Sequence, residues 1–118
     1  MNELVARLVA EHGIDRAVAE KAVGIILAFL IKEGPADKVK PLLDGMPGAE
    51  AAAEASGAGG GFGMGGIMGA GAALMGLGLS MPQVQGVTRT VLAYARETAG
   101  EDAVGEIVGA IPGLSQFL

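Results

Sequence analysis

The chain contains an ungapped internal repeat. Residues 13–49 align with residues 78–114 at a constant offset of 65, and seven of the 37 aligned pairs are identical, Leu27 and Leu92 among them. Most of the other apolar positions stay apolar, whereas charged side chains other than Asp37/Asp102 do not recur. Because packing and turn residues are what repeats, the sequence predicts that one structural unit is used twice.

Composition narrows the fold class to helices. Hydrophobic residues make up 51% of the chain, yet the aromatic ones are only three Phe and one Tyr. A core of Ala, Val, Leu, Ile and Met suits closely packed helices better than a β-sandwich, and 118 residues are enough for one compact domain. We therefore expect an all-α fold in which two tandem three-helix repeats, residues 1–49 and 67–118, are joined by a Gly/Ala-rich linker at 50–66.

Each copy has the signals of a short helix, a long amphipathic helix and a third helix. Asp15 marks the start of the first long helix, and Gly34-Pro35 marks its end. Ser80 and Gln83 form a capping-box pattern at the start of the second long helix. A weaker short helix is expected near 67–77, at the offset from the N-terminal one.

The third helix of each copy has an aspartate at its start. Asp37 is predicted to cap the first of these helices, and Asp102 opens the second. Pro41 is expected in the first turn, where a missing amide proton costs no intrahelical hydrogen bond. Leu27 and Leu92 lie on the apolar stripes of the two long helices and are predicted core residues.

A glycine-rich segment separates the copies and leaves two interpretations open. Eleven of the residues 57–78 are glycine, and no charged residue lies between Glu54 and Arg89. Glycines recur at every fourth position, a spacing found in paired membrane helices, and the run is long enough to span a bilayer. Glycine also loses much backbone entropy in a helix. A flexible linker over 50–66 is therefore preferred, and membrane contact through 58–79 is the alternative.

Side chains suited to catalysis or metal binding are sparse. The chain has no cysteine and a single histidine, His12, in the last turn of the first helix, where a capping or surface role is expected. The carboxylates of Glu97, Glu101, Asp102 and Glu106 lack metal-loop spacing and predict a solvated edge. The net charge of −5 argues against a nucleic-acid partner. We expect no enzyme activity, cofactor or metal site.

The remaining functional signal is apolar and adaptable. Methionine is over-used at binding surfaces that repack around their partners. The candidate interaction surface therefore consists of the large apolar residues in and after the glycine-rich segment: Phe62, Met64, Ile67, Met68 and Met75. The sequence favours a non-enzymatic helical interaction or structural module that self-associates or binds a protein. A membrane-associating protein that uses 58–79 is the alternative.

Several packing motifs resemble those of bacterial proteins of unknown function of the VcgC/VcgE-like type. The matching features run over most of the chain and include Gly13-Ile14, Met46-Pro47-Gly48-Ala49, Gly78-Leu79-Ser80 and Glu101-Asp102-Ala103-Val104. The resemblance implies an all-helical fold and no known activity. Proteins of that type often look exported. Here Glu3 and Arg7 interrupt the apolar N-terminus, which is unlike a secretory signal, so we expect a cytoplasmic location.

Overall fold

The computed structural model describes residues 2–34, 36–45 and 66–111, and these ranges form six helices and no strand. The helices are α1 (Asn2–His12), α2 (Arg16–Glu33), α3 (Ala36–Asp44), α4 (Gly66–Met75), α5 (Met81–Ala99) and α6 (Glu101–Ala110). The Cα radius of gyration is 12.5 Å, close to the ~13 Å of a compact domain of about this size. The prediction of a compact all-α fold is confirmed.

The order and starts of the helices recur along the chain. Arg16 and Met81 begin the two long helices, and Ala36 and Glu101 begin the two third helices, each pair at the offset of 65 seen in the sequence. The expected short helix of the second copy is α4. That the two Cα traces superpose stays a prediction. The predicted linker at 50–66 lies outside the described residues except for Gly66, which is the first residue of α4.

The long helices begin where the sequence signals them. Gly13 and Gly78 lie just before the two long helices and have φ angles of 64° and 94°, a region that side chains with a Cβ rarely adopt. At the start of α5, the backbone N–H of Ser80 donates a hydrogen bond to Gln83 Oε1 at 2.9 Å, and the Ser80 hydroxyl donates to the same oxygen at 3.2 Å. Asp15 is the N-cap residue of α2 but makes no side-chain cap bond.

The third helices begin earlier than expected. Asp37 and Asp102 are each the second residue of their helix, so neither is the N-cap, although their positions are equivalent. Pro41 accordingly lies inside α3 and not in its first turn, where proline forgoes the amide bond to the fourth preceding carbonyl. The predicted cap at Asp37 and the predicted place of Pro41 are therefore wrong.

The corner between α2 and α3 is a close one. At Gly34 an added Cβ would lie 2.7 Å from the carbonyl oxygen of Leu30 and 2.8 Å from Val39 Cγ2. The absence of a side chain lets the two helices meet with almost no connecting loop.

Helix α2 forms the centre of the core. All residues from 22 to 30 are buried, so α2 is amphipathic only in its first turns, where Arg16, Glu20 and Lys21 are exposed. The expected polar face does not continue along the helix because residues 22–31 contain no charged side chain and other helices pack around them. Leu27 and Leu92 are 0% and 1% exposed, which confirms both as core residues.

The two halves of the described chain, residues 2–45 and 66–111, interlock. Helix α1 packs on α5, α4 packs on α2, and α3 packs on α6. The short helix of each half thus contacts the long helix of the other half. The buried apolar side chains from both halves belong to one continuous core.

Candidate interaction surface

Exposed large apolar side chains are few among the described residues. Ile31, Met75 and Met81 are 43%, 47% and 43% exposed. Met75 ends α4 and Met81 begins α5, so the two methionines flank the turn formed by residues 76–80. Leu77, in that turn, packs partly against the core. We refer to Met75, Leu77 and Met81 as the α4–α5 surface.

The turn that carries this surface is well anchored. Gly76 N–H donates to the carbonyl of Ala72 at 2.9 Å, and Leu77 N–H donates to that of Leu74 at 3.0 Å. Leu74 and Leu79 are buried on either side, with 2% and 5% exposure. A turn held at both ends presents its methionines from a fixed backbone, so this surface is preformed.

Charge distinguishes this region from the rest of the molecule. The chain carries a net charge of −5, yet every residue from 55 to 88 is uncharged. The α4–α5 surface lies within that stretch. Uncharged side chains can be removed from water without the large desolvation cost of a charge.

The predicted interaction residues are only partly described. Met75 is exposed, as a contact residue must be. Ile67 and Met68 lie on α4, but their side chains fall outside the description, and Phe62 and Met64 lie outside the described residues altogether.

The prediction missed Leu77 and Met81. A signal for Met81 was present, because the residue that follows the capping residue Ser80 occupies the first turn of α5. First-turn positions often face solvent, where a methionine is a contact candidate. Leu77 gave no such signal, since its partial exposure depends on how the turn packs against the core.

A second set of side chains forms a polar seam between α1 and α5. Arg7 Nη1 donates to Glu97 Oε2 at 2.6 Å, and the guanidinium lies 5.6 Å from the centre of the Tyr94 ring. The Arg7 hydrogen bond and charge lower the pKa of Glu97, and the same contact raises the pKa of Arg7. His12 Nε2 lies 3.0 Å from Thr90 Oγ1.

The position of His12 differs from the expected capping or surface role. Its ring is half-buried and covers Gly86, where an added Cβ would lie 2.7 Å from His12 Cε1. The glycine therefore makes room for the imidazole, and the histidine serves as a helix-packing residue. Since its partners Gly86 and Thr90 both lie on α5, with Thr90 78 residues away in sequence, a local sequence pattern could not reveal this contact.

The equivalent positions on α4 and α2 are apolar apart from Lys32, which aligns with Glu97. At the repeat offset, α4 has Ala72 where α1 has Arg7, and Leu77, which follows α4, stands where α1 has His12. Likewise, α2 has Ile25 where α5 has Thr90, and Phe29 where α5 has Tyr94. The polar groups therefore occur on one of two otherwise similar helix pairings. Arg7 would lose its carboxylate partner if α1 took the place of α4 on α2, so the polar seam favours the observed pairing of the short helices.

The predicted acidic cluster is exposed and takes part in ion pairs. Glu97 pairs with Arg7, and Glu106 Oε2 lies 2.9 Å from Lys38 Nζ, which raises the pKa of Lys38. Glu101 and Asp102 are exposed in the first turn of α6. Within the described ranges, no group of His, Asp and Glu side chains has the geometry to hold a metal ion.

The remaining comparisons concern membranes and known proteins. Among the described helices, none combines the length and the hydropathy needed to cross a bilayer. No protein-family model, curated protein or solved structure matches the chain. The resemblance to VcgC/VcgE-like proteins therefore stays a proposal, and the function must be argued from the surfaces of this chain alone.

Proposed function

We propose that the protein is a non-enzymatic helical interaction module that self-associates through the α4–α5 surface. The observation that supports this proposal is the pair of exposed methionines, Met75 and Met81, on an anchored turn within an uncharged stretch. The occupant of the surface is a second copy of this chain.

Charge is the reason for choosing a second copy as the partner. Two copies with a net charge of −5 repel each other, and the repulsion is least where uncharged regions meet. The α4–α5 surface satisfies that condition on both copies at once. A contact of this kind is related by a twofold axis, which is the commonest symmetry of soluble oligomers.

Methionine also suits a surface that meets its own copy. Its unbranched side chain and polarizable sulfur adapt to another methionine without a preformed pocket. In a twofold contact, Met75 of one protomer would meet Met75 or Met81 of its partner. Leu77 adds apolar area between the two methionines.

Sedimentation velocity over a range of concentrations tests this proposal. The unmodified chain should form a dimer, and Met81→Glu should weaken its association by about tenfold or more because a carboxylate would be buried without a partner. Ile31→Glu is the matched control, since it adds the same charge to an apolar side chain of the same 43% exposure on α2. An equal effect of both substitutions, or a chain that stays monomeric, would contradict the proposal.

The membrane-associating alternative relies on the same uncharged stretch, with residues 58–79 as the contact segment. It predicts a different result in a flotation experiment with phosphatidylcholine vesicles. A chain that is monomeric in solution, floats with the vesicles and stops floating after Met75→Glu favours this alternative. A dimer that does not float supports self-association.

A further inference from the structure

We infer that two copies of this chain exchange halves, so that the first half of one copy packs on the second half of the other. The resulting intertwined dimer uses the interface between residues 2–45 and 66–111 and not the α4–α5 surface. It therefore goes beyond the proposed function, and either can fail without the other.

The main packing of each half is supplied by the other half. Helix α4 covers α2, α1 covers α5, and α3 lies against α6. Leu27 and Leu92 are fully buried in the core that the two halves share. Each half contains roughly forty residues, the size near which a lone core becomes marginal. A half therefore needs its complement, and the complement on another copy offers the same contacts.

Three polar contacts specify the pairing of the halves. Arg7 with Glu97 (2.6 Å), His12 with Thr90 (3.0 Å) and Lys38 with Glu106 (2.9 Å) each join one half to the other. By contrast, the Arg16–Glu20 pair lies within a single helix. An exchanged dimer reproduces all three contacts between chains, and it makes each of them twice.

The connection between the halves is long enough for pairing within one chain and for exchange between two chains. Twenty residues separate Gly45 from Gly66, and such a length of chain can reach up to about 70 Å. The largest dimension of the molecule is 32 Å. The chain length therefore does not force a half to pair with its own complement. Pairing within one chain benefits from a high effective concentration, so exchange is favoured at high protein concentration.

Charge reversal on complementary chains tests this inference. One full-length chain carries Arg7→Glu and the other carries Glu97→Arg, so each monomer places two like charges at the polar seam. After the two chains are unfolded and refolded together, an exchanged heterodimer pairs the new Glu with the new Arg and the native Arg7 with the native Glu97. Native mass spectrometry distinguishes this species from both homodimers by mass.

We expect the ratio of heterodimers to homodimers to exceed its statistical value by about fivefold, since two repulsive pairs become two attractive ones. The matched control uses Arg16→Glu with Glu20→Arg, which changes the net charges by the same amounts but within one helix. A chain that carries both Arg7→Glu and Glu97→Arg controls for folding, because it restores the opposite charges in one molecule.

Two results would overturn the inference. One is a statistical proportion of heterodimer although the doubly substituted chain folds. The other is equal enrichment in the Arg16/Glu20 control. Repeating the mixture with Met81→Glu on both chains separates the two modes of association, because an exchanged heterodimer persists when the α4–α5 surface carries charge. Loss of the heterodimer in that background would likewise count against exchange.

Discussion

At the residue scale, the glycines of this chain differ sharply in their surroundings. An added Cβ at Gly34 would come within 2.8 Å of both the Leu30 carbonyl oxygen and a Val39 methyl group. At Gly105, inside α6, an added Cβ would meet no atom within 4 Å. The first glycine is needed for close packing, whereas the second only weakens its helix.

Alanine substitution should therefore have opposite effects at these two positions. Gly34→Ala should lower the free energy of unfolding by about 1–3 kcal/mol because backbone atoms must move to admit the methyl group. Gly105→Ala should raise it by about 0.5–1 kcal/mol, the usual gain in helix propensity. Urea denaturation of both variants checks the pair. Destabilisation by Gly105→Ala would show that this position of α6 is crowded. An unchanged stability of Gly34→Ala would show that the corner between α2 and α3 has room for a methyl group.

Leu27 allows a direct test of the core. Its side chain is fully buried in α2, so Leu27→Ala should cost about 2–5 kcal/mol through lost burial and the cavity left behind. Ile31→Ala, on the same helix but 43% exposed, is the control and should cost much less. Thermal and chemical denaturation measure both. A loss below about 1 kcal/mol for Leu27→Ala would place that side chain outside the core.

At the scale of the elements, local signals predicted the helices and missed their contacts. Gly13, Gly78 and Ser80 mark helix boundaries through backbone conformation and capping, which depend on neighbours in sequence. The complete burial of residues 22–30 and the packing of His12 depend on helices from the other half. Such contacts join positions as far apart as Arg7 and Glu97, and no periodicity encodes them.

For the candidate surface, too, the sequence predicted what depends on local composition and missed what depends on packing. Met75 was predicted because the methionine content of the region is visible in the sequence. That Met75 and Met81 are both exposed, at the two ends of one turn, depends on how that turn packs. The polar character of the α1–α5 seam was not predicted either, since Glu97 was expected on a solvated edge and Arg7 lies on a separate helix.

The pair of Arg7 and Glu97 predicts a pH dependence of the link between α1 and α5. Because the pKa of Glu97 is lowered in the folded protein, its contribution to stability is present above the ordinary value of 4.5 and is lost as the pH falls through the folded pKa. Arg7→Gln should therefore lower the urea midpoint near neutral pH, and the difference from the unmodified chain should shrink in acid.

The control for this experiment removes the titrating group. In a Glu97→Gln background, Arg7→Gln should change the urea midpoint equally at both pH values. A difference that still shrinks in acid in that background would mean that another carboxylate, and not Glu97, is the partner of Arg7. NMR titration of the Glu97 carboxyl in the unmodified chain and in Arg7→Gln gives an independent measure, and the pKa should rise in the variant.

At the scale of the whole molecule, the two halves share one core although the sequence repeats. Leu27 from the first half and Leu92 from the second are buried in the same cluster. Neither half retains a complete apolar interior when the other is removed, because each short helix packs on the opposite long helix. The structural unit of stability is therefore the pair of halves and not the repeat.

Unfolding should accordingly be a single cooperative transition. Differential scanning calorimetry should give equal calorimetric and van't Hoff enthalpies. Leu27→Ala and Leu92→Ala, one substitution in each half, should shift the same transition to lower temperature. Two resolved transitions, or a shift of only part of the heat absorption by either variant, would show that the repeats fold as separate units.

The interlocked packing also has a consequence for biosynthesis. Translation delivers α1, α2 and α3 before any part of α4 or α5 exists, so the nascent first half lacks the helix that covers α2. Residues 22–30, buried on every side in the finished molecule, then remain partly open to water. A nascent chain in this state exposes the kind of apolar surface that chaperones bind and that drives aggregation. Rapid completion of the second half protects the first.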